Sequence, residues 1–243
     1  MANLKRPGGE LASRPLHFIW VVDCSGSMYG EKIGTVNHAI QSTIPEMADA
    51  AKDNPNAQLL VRTLKFSTGA SWVTPNPVPI EDFAWDDLDA AGVTDLGKAF
   101  EMLAAQLTIP PMTDRALPPV LVLLSDGQPT DDYKASLEKL LHLPWGKKAV
   151  RIAISIGQDA DDDVLEQFTG NRELVLQANN PQALVKMIKW ASTAASMVSA
   201  PASRPKDQDQ IDLPKDPSQT NAPLILNMNN IPDPASIGAG DVW

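Results

Sequence analysis

The chain has 243 residues, 43% of them hydrophobic, and a formal net charge of −10. That length suits one α/β domain of about 200 residues with an appendage. The acidic balance argues against nucleic-acid binding, because no basic excess exists to neutralise phosphates; it suits a metal ion or a basic partner instead.

Residues 1–15 carry proline, glycine and charge and read as a flexible leader without the apolar core of a signal peptide. "HFIWVV", from His17, is short and almost continuously apolar, the pattern of a strand buried on both faces of a parallel sheet. In "GEKIGTVNHAIQSTIPEMADAAK", Ile33, Val36, Ile40, Ile44 and Met47 recur at helical steps, and Pro45 is expected to kink or interrupt that helix. "QLLVRTLKF" is a second strand. "SWVTPNPVPI" has Pro75, Pro77 and Pro79 at alternate positions and is expected as an edge strand or extended loop. "TDLGKAFEMLAAQL" is helical, with Leu96, Phe100, Leu103 and Leu107 on one face.

"PVLVLLSDG" is a core strand that ends in an acid. "DDYKASLEKLLHL" is expected as a helix capped by Asp131 or Asp132. "AVRIAISIG" is a strand, "DDDVLEQFTG" a short helix closed by Gly170, "RELVLQA" a last strand, and "PQALVKMIKWASTAASMV" a last helix with Pro181 in its first turn and Trp190 in its packing. Strands alternating with helices imply a doubly wound, mostly parallel sheet flanked by helices, a Rossmann-like α/β fold over residues 16–200. Residues 201–243 form a Pro/Asp-rich linker and an extended, apolar C-terminal tail. With Leu224, Ile225, Leu226, Met228, Ile231 and Trp243, that tail is either disordered or a partner-recognition segment.

No stretch approaches the roughly 18 apolar residues of a membrane span, so no membrane association is expected. Cys24 is the only cysteine, which precludes an intramolecular disulfide and fits a reducing, cytoplasmic setting.

Ligands in open parallel sheets sit at the carboxyl ends of the strands. Two core strands end there in acids, Asp23 in "VVDCSGS" and Asp126 in "VLLSDG". If the chain stays extended beyond Asp23, then Asp23, Ser25 and Ser27 point one way and Cys24 the other, into the sheet, as an inert thiol. One carboxylate and two hydroxyls then converge, a hard oxygen set suited to Mg²⁺ or Mn²⁺. "AGVTDLGKAF" brings Thr94 and Asp95 to a helix start, where either serves as N-cap or ligand. The bland reading of the first cluster is a strand end followed by a capping turn.

Taken together, "DCSGS", "GVTDLG" and "LLSDGQPTDD" resemble the three pieces of a von Willebrand factor A (vWA) domain with a metal-ion-dependent adhesion site (MIDAS). The likeness spans roughly His17 to Val198 and is nearest to the bacterial TerY-type proteins associated with tellurium resistance. It implies that Asp23, Ser25, Ser27, Thr94 and Asp126 are the metal residues. It also implies that a protein partner's Asp or Glu completes the coordination. TerY-like relatives imply an adaptor beside a Ser/Thr kinase and a protein phosphatase in a stress response.

Other chemistries fit less well. The acidic run Asp159–Asp163 fails the calcium-loop pattern, with Val164 and Gly170 where Gly and Glu are needed. His17, His38 and His142 show no metal spacing or triad. A phosphotransferase of the haloacid dehalogenase type needs an aspartate where Ser25 stands, so a Mg/Mn-dependent hydrolase ranks below a binding module. The expectation is a protein that is not an enzyme. A subunit of an ATPase-associated chaperone or metal-insertion assembly is the alternative.

Overall fold

A computed structural model describes residues 13–199 except 55 and 159, with side chains through residue 192. The expectations for the leader before residue 13 and for the C-terminal tail lie outside the described residues. Strands β1 (Arg14–Asp23), β2 (Ala57–Ser67), β3 (Gly69–Trp72), β4 (Val78–Pro79), β5 (Val120–Ser125), β6 (Val150–Ile156) and β7 (Val175–Ala178) form one sheet. Its order is β3-β2-β1-β5-β6-β7, with β4 also paired to β2. The neighbours β2, β1, β5, β6 and β7 run parallel, while β3 and β4 are antiparallel to β2 at the edge. This is the doubly wound α/β sheet expected from the sequence, and the proline-rich stretch takes the predicted edge position.

Residue parity assigns the two faces. Phe18, Trp20 and Val22 of β1, and Cys24 just after it, join the apolar cluster of α1 (Glu31–Lys52) and α6 (Pro181–Ser199), with Val36, Ile40, Leu184 and Ile188. Ile19 and Val21 face the other cluster, beneath α2 (Leu96–Gln106), α3 (Lys134–His142), α4 (Pro144–Lys148) and α5 (Asp162–Thr169). Phe100 of α2 stacks on Phe168 of α5, ring centroids 5.6 Å apart. With both faces covered, the central strands must be apolar throughout, and all six residues of β5 are buried.

Three local expectations need correction, and one short helix was not expected. Of the kink or interruption expected at Pro45, the interruption does not occur, and helix α1 continues across it. Pro45 and Gln41, whose carbonyl loses its intrahelical donor, are both exposed, so water satisfies that oxygen. Helix α3 receives no side-chain cap from Asp131 or Asp132. The Asp131 carboxylate accepts instead from the N–H groups of Gly97 (3.0 Å) and Lys98 (3.3 Å), at the start of α2. Strand β1 begins at Arg14, because its guanidinium ties the chain to the carbonyls of Arg115 and Ala116. Helix α4 is too short to show a periodicity and is anchored by the buried Trp145.

Between β4 and α2 an irregular strap, residues 83–95, carries the chain back to the strand ends. Phe83, Trp85, Leu88 and Ala90 are buried against the α1 face while Asp86, Asp87 and Asp89 stay exposed. Asn37 of α1 staples it. Its Nδ2 donates to the Leu88 carbonyl (2.9 Å), and its Oδ1 accepts from Leu88 N–H (3.0 Å) and the Trp85 indole (3.1 Å). Removing a side chain that satisfies three buried groups leaves each without a partner, at about 1–3 kcal/mol apiece before water relieves some of them. Asn37→Ala should therefore lower unfolding stability by about 2–4 kcal/mol. Urea denaturation followed by tryptophan fluorescence measures this, and a loss below about 1 kcal/mol contradicts the stapling role.

Candidate functional site

Central strand β1 pairs with β2 on one side and β5 on the other, so the chain winds outward in both directions from it. The crevice at that switch point lies beyond the carboxyl ends of β1 and β5. Val22 pairs with Leu124, and one step further Asp23 and Ser125 stand side by side. The Ser125 hydroxyl donates to Asp23 Oδ2 at 2.6 Å and accepts from Gly127 N–H at 2.9 Å. Ser25 N–H donates to Asp23 Oδ1 at 2.8 Å. Both oxygens of this fully buried carboxylate are therefore satisfied by uncharged donors.

The chain stays extended only as far as Ser25 and then closes a 3-10 turn, Gly26–Met28. Strict alternation therefore fails at Ser27. The turn nevertheless returns its hydroxyl to within 3.0 Å of the Ser25 hydroxyl. Cys24 lies on the opposite face, in the α1–α6 cluster. Burial, followed by the charge of Asp23, pushes its thiol up to about 12, so it is inert as expected.

Thr94 is buried and held through its main chain. Its N–H donates to the Thr130 hydroxyl (3.1 Å), and Thr130 N–H donates to its carbonyl (2.9 Å). Asp95 occupies the N-cap position of α2, but its side chain does not cap. Its carboxylate accepts from Gly69 N–H at 2.7 Å, so Asp95 fastens the strap to β3. Gly26 N–H donates to the Gly92 carbonyl at 3.0 Å, which brings the β1 loop and the strap together.

Asp126 is 3% exposed, and its Oδ1 is buried with no hydrogen-bond partner. Its carbonyl accepts from Asp161 N–H at 2.8 Å, which holds the loop in place. Gly127 follows at φ +69°, and a Cβ there would come 2.6 Å from the Asp161 carbonyl, so only glycine fits. The "SDG" order thus fixes one acid at the crevice.

Asp23 and Asp126 are like charges in one buried site. Burial raises the Asp23 pKa above its ordinary 3.8, hydrogen bonds from Ser125 and Ser25 oppose that rise, and the charge of Asp126 adds to it. Among the described residues no group of three His, Cys, Asp or Glu forms a metal cluster. A metal here would be bound by two carboxylates and three hydroxyls, a hard oxygen set with little negative charge. The orphaned Oδ1 of Asp126 and the paired serine hydroxyls fit that requirement.

Sequence reasoning picked out Asp23, Ser25, Ser27, Thr94 and Asp126. It missed Ser125 and Thr130, which hold Asp23 and Thr94 in position, and Asn37, which holds the strap. Ser125 stands next to Asp126 in "LLSDG", but only the β1–β5 register reveals that it serves Asp23.

Fold and crevice together define a doubly wound α/β domain with an oxygen-lined strand-end site. The family model of the von Willebrand factor type A domain matches residues 18–190, and the chain belongs to that family. Solved structures agree on the fold. The pilus adhesin SpaC from Lactobacillus rhamnosus GG, in its open conformation, is 15% identical with a TM-score of 0.58, over 74% of this chain and 30% of that one. The ArnB paralog VWA2 from Sulfolobus acidocaldarius is 19% identical with a TM-score of 0.54, over 72% and 44%. Proximal thread matrix protein 1 from the mussel byssus, solved with a zinc-occupied MIDAS motif, is 17% identical with a TM-score of 0.56, over 77% and 49%. The alignments span less than half the length of each of these structures. No curated protein sequence matches the chain.

Because the folded pKa of Asp23 is raised, the native state holds its proton more tightly than the unfolded chain does. Metal-free stability should therefore fall as pH rises from about 3.8 through the raised value, and level off above it. Asp23→Asn should flatten that part of the stability–pH curve. Parallel curves for the two proteins, measured by chemical denaturation in EDTA, would contradict the assignment.

Proposed function

We propose that the chain is a metal-dependent protein-adhesion module. Asp23, Ser25, Ser27, Thr94 and Asp126 hold Mg²⁺ or Mn²⁺, and an Asp or Glu of a protein partner is captured there. The observation that carries this reading is the buried Oδ1 of Asp126, left without a partner beside a network that satisfies both oxygens of Asp23. When bound, the ion supplies the positive charge that two buried carboxylates lack and an open position for an outside carboxylate. The chain's own residues do the rest. Ser125 orients Asp23, Thr130 fixes the Thr94 backbone, and the hydroxyl pair of Ser25 and Ser27 offers neutral oxygens that leave the site short of anionic charge. The zinc-occupied MIDAS motif of the mussel protein supports a divalent ion, and the all-oxygen donor set favours Mg²⁺ or Mn²⁺ for this chain.

The same chemistry supports an adaptor and not an enzyme. The Cys24 thiol is buried and its pKa lies at about 12. The hydroxyls of Ser25 and Ser27 bond to each other, with no histidine serving them as base. His17 is buried on β1, where burial and then Arg62 lower its pKa. The "LLSDGQPTDD" likeness to TerY-type proteins supports a cytoplasmic role in a stress response, beside a Ser/Thr kinase and a protein phosphatase. Among the described residues no helix is long and apolar enough to cross a membrane.

A pull-down with the tagged full chain tests the reading. Source-cell lysate is passed over wild type in Mg²⁺, wild type in EDTA, and Asp126→Ala in Mg²⁺. The expected result is a specific protein retained only in the first arm. The same proteins in all three arms would remove the metal from recognition.

A further inference from the structure

Among the described residues three large apolar side chains stand exposed: Tyr29 at 78%, Val93 at 45% and Ile109 at 55%. Two of them flank the candidate site. Tyr29 lies two residues beyond Ser27, and Val93 immediately precedes Thr94. Their loops touch through the Gly26–Gly92 hydrogen bond, and a Cβ at Gly26 would stand 3.3 Å from the Gly92 carbonyl. Tyr29 N–H closes back on the Gly26 carbonyl at 3.2 Å, so the phenol is presented from a closed turn. Exposed apolar groups gathered beside a polar site mark an interaction surface, and tyrosine is enriched at such surfaces.

The strap that runs into Gly92 carries charge of one sign. Between Lys65 and Lys98 the sequence contains six acids and no Lys or Arg. Asp86, Asp87 and Asp89 stand exposed on the strap that runs into Gly92. None of the three forms an ion pair among the described residues. The strap is pinned to α1 through Asn37 and to the site loop through Ala91 N–H, which donates to the Cys24 carbonyl at 2.8 Å. The strap's backbone therefore keeps a fixed place beside the crevice. A purely acidic ligand approaching along the strap would meet repulsion from its aspartates, and a cation on the ligand would be attracted.

We propose that this rim selects the partner segment by two features besides its carboxylate: a large apolar side chain that packs on Tyr29 and Val93, and a Lys or Arg that faces Asp86, Asp87 and Asp89. The inference rests on the adhesion reading above and specifies the chemistry of the partner. The cation converts a repelling rim into a steering one, and the apolar contact supplies burial that a lone metal–carboxylate bond lacks.

The test is selection from a phage-displayed random dodecapeptide library on the immobilised full chain in Mg²⁺, with elution by EDTA. The best peptide is then titrated by fluorescence anisotropy against wild type, Tyr29→Ser/Val93→Ser and Asp86→Asn/Asp87→Asn/Asp89→Asn, all changes at exposed positions. The EDTA-eluted pool should be enriched in Asp or Glu accompanied by both Lys/Arg and a large apolar residue. Each variant should bind about fivefold or more weakly, and the triple variant should also lose most of the salt dependence. EDTA-eluted peptides that carry a carboxylate but lack either preference, or variants that bind like wild type, overturn the rim proposal and leave the adhesion reading standing. A pool that EDTA does not release, or no enrichment in Mg²⁺, overturns both.

Discussion

A carboxylate buried at the end of the central strand constrains everything around it. Asp23 has no exposed surface, yet it lies at the one point of the sheet where the chain winds away in both directions. Burying such a group without hydrogen bonds costs several kcal/mol, so the surroundings must supply donors. They come from two strands: Ser25 N–H from the same chain end and the Ser125 hydroxyl from β5. That cross-strand bond is available only in the observed register. The alternation of Val22 and Leu124 into one apolar layer, which sets the register, also sets the geometry of the site.

Asp126 has been treated differently. Ser125 donates to Asp23, yet its neighbour Asp126 keeps an Oδ1 with no donor. A buried, unsatisfied acceptor costs about 1–3 kcal/mol and persists where function requires it. The loops around it are braced by the Asp161, Thr130 and Asp131 bonds, so they cannot easily relax to satisfy it. Two like charges close together, with one oxygen unmet, make a site that gains from a cation. Hydroxyls in place of further acids would keep a cation poorly neutralised, as the proposed capture of an external carboxylate requires.

Much of this was legible in the sequence because it is local. Asp23, Ser25 and Ser27 sit at alternate positions after an unbroken apolar run, and the order of the strands and of every α-helix but α4 follows from periodicity and breaker residues. What was not legible is what depends on partners distant in sequence. Asp131 precedes α3 by three residues and yet caps α2, because the β5–α3 loop folds over that helix's first turn. Asp95 looks like a cap and instead anchors Gly69. Asn37 reads as one polar residue in an amphipathic helix, and only the packed strap shows what it holds. Pro45 illustrates the reverse case: a strong local breaker is tolerated because the carbonyl it orphans faces water.

The proposed adhesion requires a single divalent ion at the strand ends, and calorimetric titration of Mg²⁺ and Mn²⁺ into the metal-free full chain measures it most directly. One ion per chain is expected for wild type. Asp126→Asn should bind at least about tenfold more weakly, since even groups that merely orient a metal's ligands contribute tenfold or more to affinity. No binding to wild type, or equal binding to the variant, would contradict the proposed adhesion and reduce the strand-end oxygens to a structural role.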